Sequence, residues 1–203
     1  MKDDFVTKKE GTSMKKGTIV IISVLAFFAI LLFWGIGTNN SLVQLHEDVS
    51  LEAGQIQTTL QRRSDLIPNL VSTVKGYAAH EEQVFTEIAD ARSKLSGAIS
   101  SGDLEAIKEA NDGLSSALTR LLAIQEAYPD LKADAQFTAL MDELAGSENR
   151  INVARQKYND TVATYNKQIK MFPSSIIANM NGFTEEEYFE ADAGAQQAPI
   201  VNF

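Results

Sequence analysis

From Thr18 to Ile36 the chain reads TIVIISVLAFFAILLFWGI, without a single charge and with only Thr18 and Ser23 as polar side chains. As a helix rising about 1.5 Å per residue, this run reaches about 30 Å, the thickness of a bilayer's hydrocarbon core. Thirteen of its residues are Leu, Ile, Val or Phe. Each favours insertion by about 0.3–0.6 kcal/mol near the centre, so the sum is several kcal/mol. Two other readings exist. A core helix of a soluble domain normally keeps one polar stripe, which this run lacks. A cleaved signal peptide has a shorter apolar region ending in small residues. Here Trp34 follows the run like an interfacial anchor, so a retained transmembrane signal anchor over 17–38 is preferred.

Orientation follows from the flanking cations. Lys15 and Lys16 precede the run, Lys8 and Lys9 lie farther back, and no Lys or Arg follows until Arg62. The excess of positive charge stays on the cytoplasmic side. Residues 1–16 are therefore expected in the cytoplasm and everything beyond Asn39 outside it. Membrane-flanking roles are assigned to Lys15, Lys16 and Trp34. Met14-Lys15-Lys16 would itself make a natural start, and the polar residues 1–13 are expected to be disordered.

Composition narrows what the outer part does. Residues 1–40 hold five basic and three acidic side chains, leaving 13 cations against 24 anions, a net charge of −11. Such a domain is a poor partner for nucleic acid or an anionic lipid surface. The chain has no cysteine, which removes disulfides, thiolate–metal sites and a thiol nucleophile. Only His46 and His80 are available as imidazoles. His80-Glu81-Glu82-Gln83-Val84 begins like a zinc-protease motif, but Val84 stands where the second ligand belongs. No phosphate-binding glycine loop or nucleophile elbow occurs. No cofactor, no metal and no catalysis are expected.

Helical periodicity fills the outer part. One apolar stripe is Leu42, Leu45, Val49, Ala53, Ile56 and Leu60, with Ser41 as its N-cap. A second is Ile67, Leu70, Val74, Tyr77, Val84, Ile88, Ala91 and Leu95, broken at Glu81. Between them, Asp65 is suited to cap a new helix and Pro68 to sit in its first turn. A break is preferred there, because a helix running through would put Arg63 on the apolar stripe; a kinked continuous helix is the alternative. Asp103 is expected to cap a third helix, ending near Tyr128-Pro129. Asp130 is expected to cap a fourth, up to about Met171, as the longest of the domain. The fold class is therefore all-α, an up-and-down four-helix bundle over 41–173 behind one transmembrane helix. Residues 174–203 are expected as an acidic, partly flexible tail, with a helical turn or two at Glu185–Glu190.

A set of polar residues recurs beside these stripes. It comprises Arg62, Arg63, Asp65, Asn69, Lys75 and Tyr77 near the first bend, and Glu148, Arg155, Tyr158, Asn159, Tyr165 and Asn166 on the last long helix. Their spacing gives them shared faces. Interhelical bonds that fix register are one reading, and a surface for a ligand, peptide or partner is the other. At the far end, Val201-Asn202-Phe203 with its carboxylate has the form of a peptide captured by a sheet edge.

Four strings resemble the LemA family of bacteria: QRRSDLIPNLVSTVKGYAAHE (Gln61–Glu81), EAYPDLKA (Glu126–Ala133), ENRINVARQKYNDTVATYN (Glu148–Asn166) and MFPSSIIA (Met171–Ala178). The closing P-x-V-x-F of Pro199–Phe203 is similar as well. The resemblance implies a helical bundle held at the cell envelope, with no established enzymatic activity and no catalytic residue to carry over. Members are sometimes encoded near membrane metalloproteases and other envelope proteins, which implies an envelope partner linked to proteolysis or stress. Expected partners are thus membrane lipid through one helix and another envelope protein, with self-association through extra apolar positions such as Leu122, Ile124 and Val153.

Overall fold

A computed structural model describes residues 16–189. Residues 1–15, with Lys15 and most of the segment expected in the cytoplasm, and the Pro199–Phe203 motif lie outside the described residues. Six helices follow one another: α1 (Lys16–Lys75), α2 (Glu82–Ser101), α3 (Leu104–Gln125), α4 (Pro129–Lys132), α5 (Ala135–Lys170) and α6 (Ser174–Asn181). No strand occurs among the described residues. The main packing is α1 on α5 and α2 on α3, with α2 also against α1 and α6 against both α5 and α1.

The preferred break between Arg63 and Leu66 is absent. α1 runs through 60 residues, about 90 Å. Ser41, expected as an N-cap, and Asp65, expected as the next, both lie inside it; Asp65 accepts a hydrogen bond from Gln61 Nε2 at 2.8 Å. The reason lies in the phase of the two stripes. Leu60 and Ile67 are seven residues apart, two helical turns, so the stripes are one seam running from Leu42 to Val74. Arg63 does fall on that seam and is buried there. Pro68, which would normally end a helix, lacks the N–H that the Ser64 carbonyl would receive. Arg92 of α2 supplies a donor instead, its Nε lying 3.1 Å from the Ser64 oxygen. The helix therefore ends later, at Lys75, where Gly76–Glu81 turn into α2.

The remaining boundaries have local causes. Gly102 takes φ +74° at the end of α2, a left-handed conformation that suits glycine. Asp103 caps α3 as expected, its Oδ1 accepting from the N–H groups of Glu105 and Ala106. Asp130 does not cap the long helix. Pro129–Lys132 close as the separate turn α4, and Asp134, in extended backbone, caps α5 by accepting from the Phe137 N–H at 2.7 Å. At 36 residues α5 is shorter than α1.

Two differences bear on function. Residues 174–181, placed in the tail, form α6, with Ser174 and Ala178 buried. Residues 183–189 are not helical. They run as an extended segment along α5, ending in the buried ring of Phe189.

The core is one continuous cluster. It includes Leu42, Ile56, Leu60, Ile67 and Leu70 of α1, Ile88 and Leu95 of α2, Ile107, Leu114 and Leu121 of α3, and Ile151, Tyr158, Val162 and Tyr165 of α5. The apolar run at the start of α1 is different: Ile19–Phe33 face outward all round. Among the described residues this is the one helix long and apolar enough to cross a membrane.

Candidate functional site: an arginine cluster and a backbone cradle

Two polar groupings interrupt the core, one at mid-height and one nearer the apolar run. The first centres on Arg63, which is 6% exposed. Its Nη1 donates to Asn111 Oδ1 of α3 at 2.8 Å and pairs with Glu148 Oε2 of α5 at 2.7 Å. A charge on a core seam is costly unless it is paired and hydrogen-bonded. Burial pushes the Arg63 guanidinium below its ordinary pKa; Glu148 and Asp112 oppose that shift, and Arg155 adds to it. Arg63 thus ties α1, α3 and α5 together at one level.

Arg155 stands one side over. Its guanidinium carbon lies 4.6 Å from the ring centre of Phe189, a cation–π contact with the extended segment. Its Nε and Nη2 find no hydrogen-bond acceptor among the described residues. An open cleft of about 620 Å³ lies here, lined in part by Arg63, Asn111, Asp112, Ser115, Glu148 and Arg155. A larger cleft, about 970 Å³, runs between α2 and α3 over Ala91, Gly97, Ala110, Gly113 and Ala117; its charged side chains, Arg120 paired with Glu87 among them, are largely solvent-exposed rather than buried in the core.

The second grouping is the cradle for residues 184–189. Asn166 Nδ2 donates to the Glu186 carbonyl at 2.8 Å, and its Oδ1 accepts from the Glu186 N–H at 2.9 Å. Asn159 makes the same two-way clamp on Phe189, with both bonds at 2.8 Å. The Tyr165 hydroxyl donates to the Thr184 carbonyl at 2.8 Å and the Tyr158 hydroxyl to the Glu187 carbonyl at 2.9 Å. The pair Tyr-Asn thus occurs twice on α5, seven residues apart. Two helical turns rise about 10.5 Å, and three extended residues span about 10 Å. That match lets one repeated pair grip the backbone at 184/186 and again at 187/189. An asparagine amide carries a donor and an acceptor side by side, so it pairs with a peptide unit as a neighbouring strand would. Burial, with the nearby charge of Glu186, pushes both phenols above their ordinary pKa; Glu187 adds to this for Tyr158. Both therefore stay protonated donors.

His46 of α1 closes the lower end of the cradle. Its ring stacks on Tyr165 with centroids 5.5 Å apart, and Nε2 lies 3.0 Å from Glu186 Oε1. Phe183 meets the same imidazole edge-on.

The other residues singled out from the sequence are dispersed. Arg62 and Arg150 both donate to Glu143 Oε1, at 2.9 and 2.6 Å. Burial raises the Glu143 carboxyl, but the two guanidiniums outweigh it and hold the carboxyl below its ordinary range. The Tyr77 hydroxyl donates to Asp134 Oδ2 at 2.8 Å. Lys75 sits over the Phe85 ring. Asp65 and Asn69 lie on the exposed side of α1. Trp34 is partly exposed at the end of the apolar run. Asn111, Asp112, His46 and Phe189 were not singled out. Asn111 and Asp112 carry no periodic signal of their own, and Phe189 sits in an acidic string expected as a helical turn or two of the tail. Among the described residues no group of three His, Cys, Asp or Glu is arranged to hold a metal ion.

Known proteins resemble the chain along most of its length. The magnetosome proteins MamQ 1 and MamQ 2 of Paramagnetospirillum magneticum are each 30% identical over 208 residues, covering 90% of this chain and 74% of theirs. Protein LemA of Metamycoplasma hominis is 24% identical over 190 residues, covering 93% of this chain and 85% of its own. None of these names is that of an enzyme. The LemA family itself matches residues 52–203, a span that takes in every member of the arginine cluster and the α5 side of the cradle. On that match, the chain belongs to the LemA family.

Proposed function

We propose that the chain is a membrane-anchored scaffold whose helical domain lies outside the cytoplasm and binds another protein of the envelope, in a process connected with envelope proteolysis or stress. The observation that carries this reading is the continuity of α1. The same helix that is apolar all round over 19–33 becomes the central core element of the domain as far as Val74. The domain is thereby fixed to its anchor without a linker. Its height and orientation over the bilayer are set by the helix, which is what a scaffold needs and a diffusing enzyme does not. Relatives named as magnetosome proteins are consistent with work at a membrane. A groove along α1 and α5 carries the exposed side chains Leu51 and Val153 between Glu52, Arg150 and Lys157, and is the face offered to a partner.

Two measurements test this. A membrane-impermeant maleimide should label Glu105→Cys in intact cells, because the chain has no other cysteine. Labelling only after lysis overturns the orientation. A photo-crosslinking residue at Val153 should capture one defined envelope protein. Capture of lipid alone overturns the scaffold reading.

The cradle supports a second reading, a module for extended peptides. Asn159 and Asn166 bond only to backbone atoms of the segment, so this part of the grip is indifferent to side chains, while Arg155 and His46 add contacts to Phe189 and Glu186. In this chain the peptide held is its own. A chain ending at Gly182 should bind a synthetic 183–190 peptide in trans. Absence of binding by a folded truncated chain removes this reading.

A further inference from the structure

We infer that α6 and the preceding Phe172 form a second membrane contact, a short apolar element seated in the outer interfacial layer beside the transmembrane part of α1. The inference rests on the anchored reading above and adds a surface to it.

The position of α6 follows from two contacts and a reversal of direction. α5 packs along α1, with Tyr165 stacked on His46 near its lower end. The extended segment then runs back up α5, from Tyr165 at residue 184 to Asn159 at residue 189. The chain therefore turns round between Met171 and Gly182, and the turn is at the end of the domain that faces the apolar run. At its lowest, α6 reaches Gly35: a Cβ added there would lie 3.6 Å from Ile177 Cδ1. Gly35 is next to Trp34 and one residue from the last apolar residue of the run, Ile36. α6 is thus level with the boundary between hydrocarbon and water.

Its side chains suit that level. Ser174 and Ala178 face the core, while Ile176 and Met180, four apart, lie on the opposite side. Met180 is 76% exposed and Phe172 80%, with Met171 and Ile176 also exposed. From Met171 to Thr184 no side chain is charged, although the domain as a whole is strongly acidic. An acidic surface is repelled by anionic headgroups, and this stretch is the part of the domain from which charge has been withdrawn. Exposed Phe, Ile and Met without charge are wasteful in water and favourable in the headgroup–acyl boundary. Lys170 and Glu185, at the two ends of the stretch, pair with each other at 2.7 Å, so the charges nearest the interface neutralise one another. A second contact beside α1 would limit the tilt of α1, and of the domain fixed to it, relative to the bilayer.

The absence of cysteine makes the test direct. Single variants Leu25→Cys, Phe172→Cys, Met180→Cys and Ala79→Cys of the full chain are labelled with an environment-sensitive fluorophore. They are reconstituted in phosphatidylcholine–phosphatidylglycerol vesicles with and without brominated lipid. Position 79 lies in the turn at the far end of α1 and reports water. The expected result is strong quenching by brominated lipid at 25, comparable quenching at 172 and 180, and none at 79, unchanged on dilution with protein-free lipid. Quenching at 25 with responses at 172 and 180 like that at 79 overturns the inference and leaves the anchor standing. Loss of quenching at 25 as well overturns the anchored reading itself. Shielding at 172 and 180 without bromine quenching, or shielding that vanishes on dilution, assigns the face to a protein contact and also overturns the inference. Circular dichroism of each variant confirms that the helices are intact.

Discussion

The α1–α5 pair is covered in two different ways along its length. Far from the apolar run, the α2–α3 hairpin closes it, and the polar groups there are ions: Arg63 with Glu148, and Arg62 and Arg150 with Glu143. Nearer the run, seven residues of extended chain close it, and the polar groups gripping that backbone are neutral: two asparagines and two tyrosine hydroxyls. A helical hairpin brings side chains to the seam and can answer a charge with a charge. An extended segment brings unpaired peptide groups, and these need donors and acceptors in register. The two halves therefore fail differently when one polar side chain is removed.

The largest effect is expected in the distal half. Glu148→Ala leaves Arg63 buried with Asn111 as its hydrogen-bond acceptor and without the carboxylate that pairs with it. Breaking a buried ion pair from one side costs about 3 kcal/mol, because the stranded charge is the penalty. The midpoint of urea unfolding reads it. Arg63→Met combined with Glu148→Gln should recover most of the loss, since replacing both charges removes the stranded one. If the double variant is as unstable as the single one, the ion pair is not what holds this level together.

In the proximal half, Asn166→Ala strips a donor and an acceptor from the Glu186 peptide. A loss of about 2 kcal/mol is expected for groups left unsatisfied. The loss should be local: amide exchange rises over 184–189 while α1 and α5 keep their protection. Asn159→Ala should do the same over 187–189. Global unfolding in step with the segment would mean that the segment is part of the core rather than its cover.

This contrast also explains what the sequence could and could not disclose. The heptad-like apolar seams were readable because burial against a helix repeats every three or four residues, and α3, capped by Asp103, came out as expected. Arg63 was recognised as the residue a continuous helix would bury, yet a charge on a seam argued for a break. Only its partners on α3 and α5, distant in sequence, make the burial affordable. The Tyr-Asn repeat was visible as a shared face, but its use was not. Its ligand is backbone, which leaves no side-chain pattern to read, and the segment's own letters, EEEYF, suggest a helical turn of an acidic tail. α6 was hidden for a similar reason: eight residues are too few for a period to stand out.

A smaller effect tests how α1 survives its proline. Arg92→Ala removes the donor to the Ser64 carbonyl and should cost about 1 kcal/mol. In a Pro68→Ala background the cost should nearly vanish, because the N–H of the alanine takes the same carbonyl. A double-mutant cycle gives the coupling directly. Additive losses would show that Arg92 acts by packing and that α1 needs no external donor at this turn.

The smallest effect is on acidification, and its location separates the halves again. Asp134 has a depressed pKa, chiefly because its carboxylate accepts from the Phe137 N–H and next because Tyr77 donates to it. Glu143 is also depressed, as Arg150 and Arg62 outweigh its burial. A carboxyl whose pKa is lower folded than unfolded contributes stability above its unfolded pKa. It loses that contribution as pH falls through the folded one. Stability carried by both groups is thus complete above the ordinary carboxylate range, about pH 4–4.5, and declines below it. Both lie in the distal half, whereas the amide and phenol groups that clamp 184–189 take up no proton there. Amide exchange followed from pH 6 towards pH 3, corrected for its intrinsic pH dependence, should show α5 loosening first at its Asp134 end. Asp134→Asn should flatten that response while leaving the exchange of the clamped segment as it was. An acid response that begins instead at 184–189 would make the proximal half the electrostatic one and reverse the comparison.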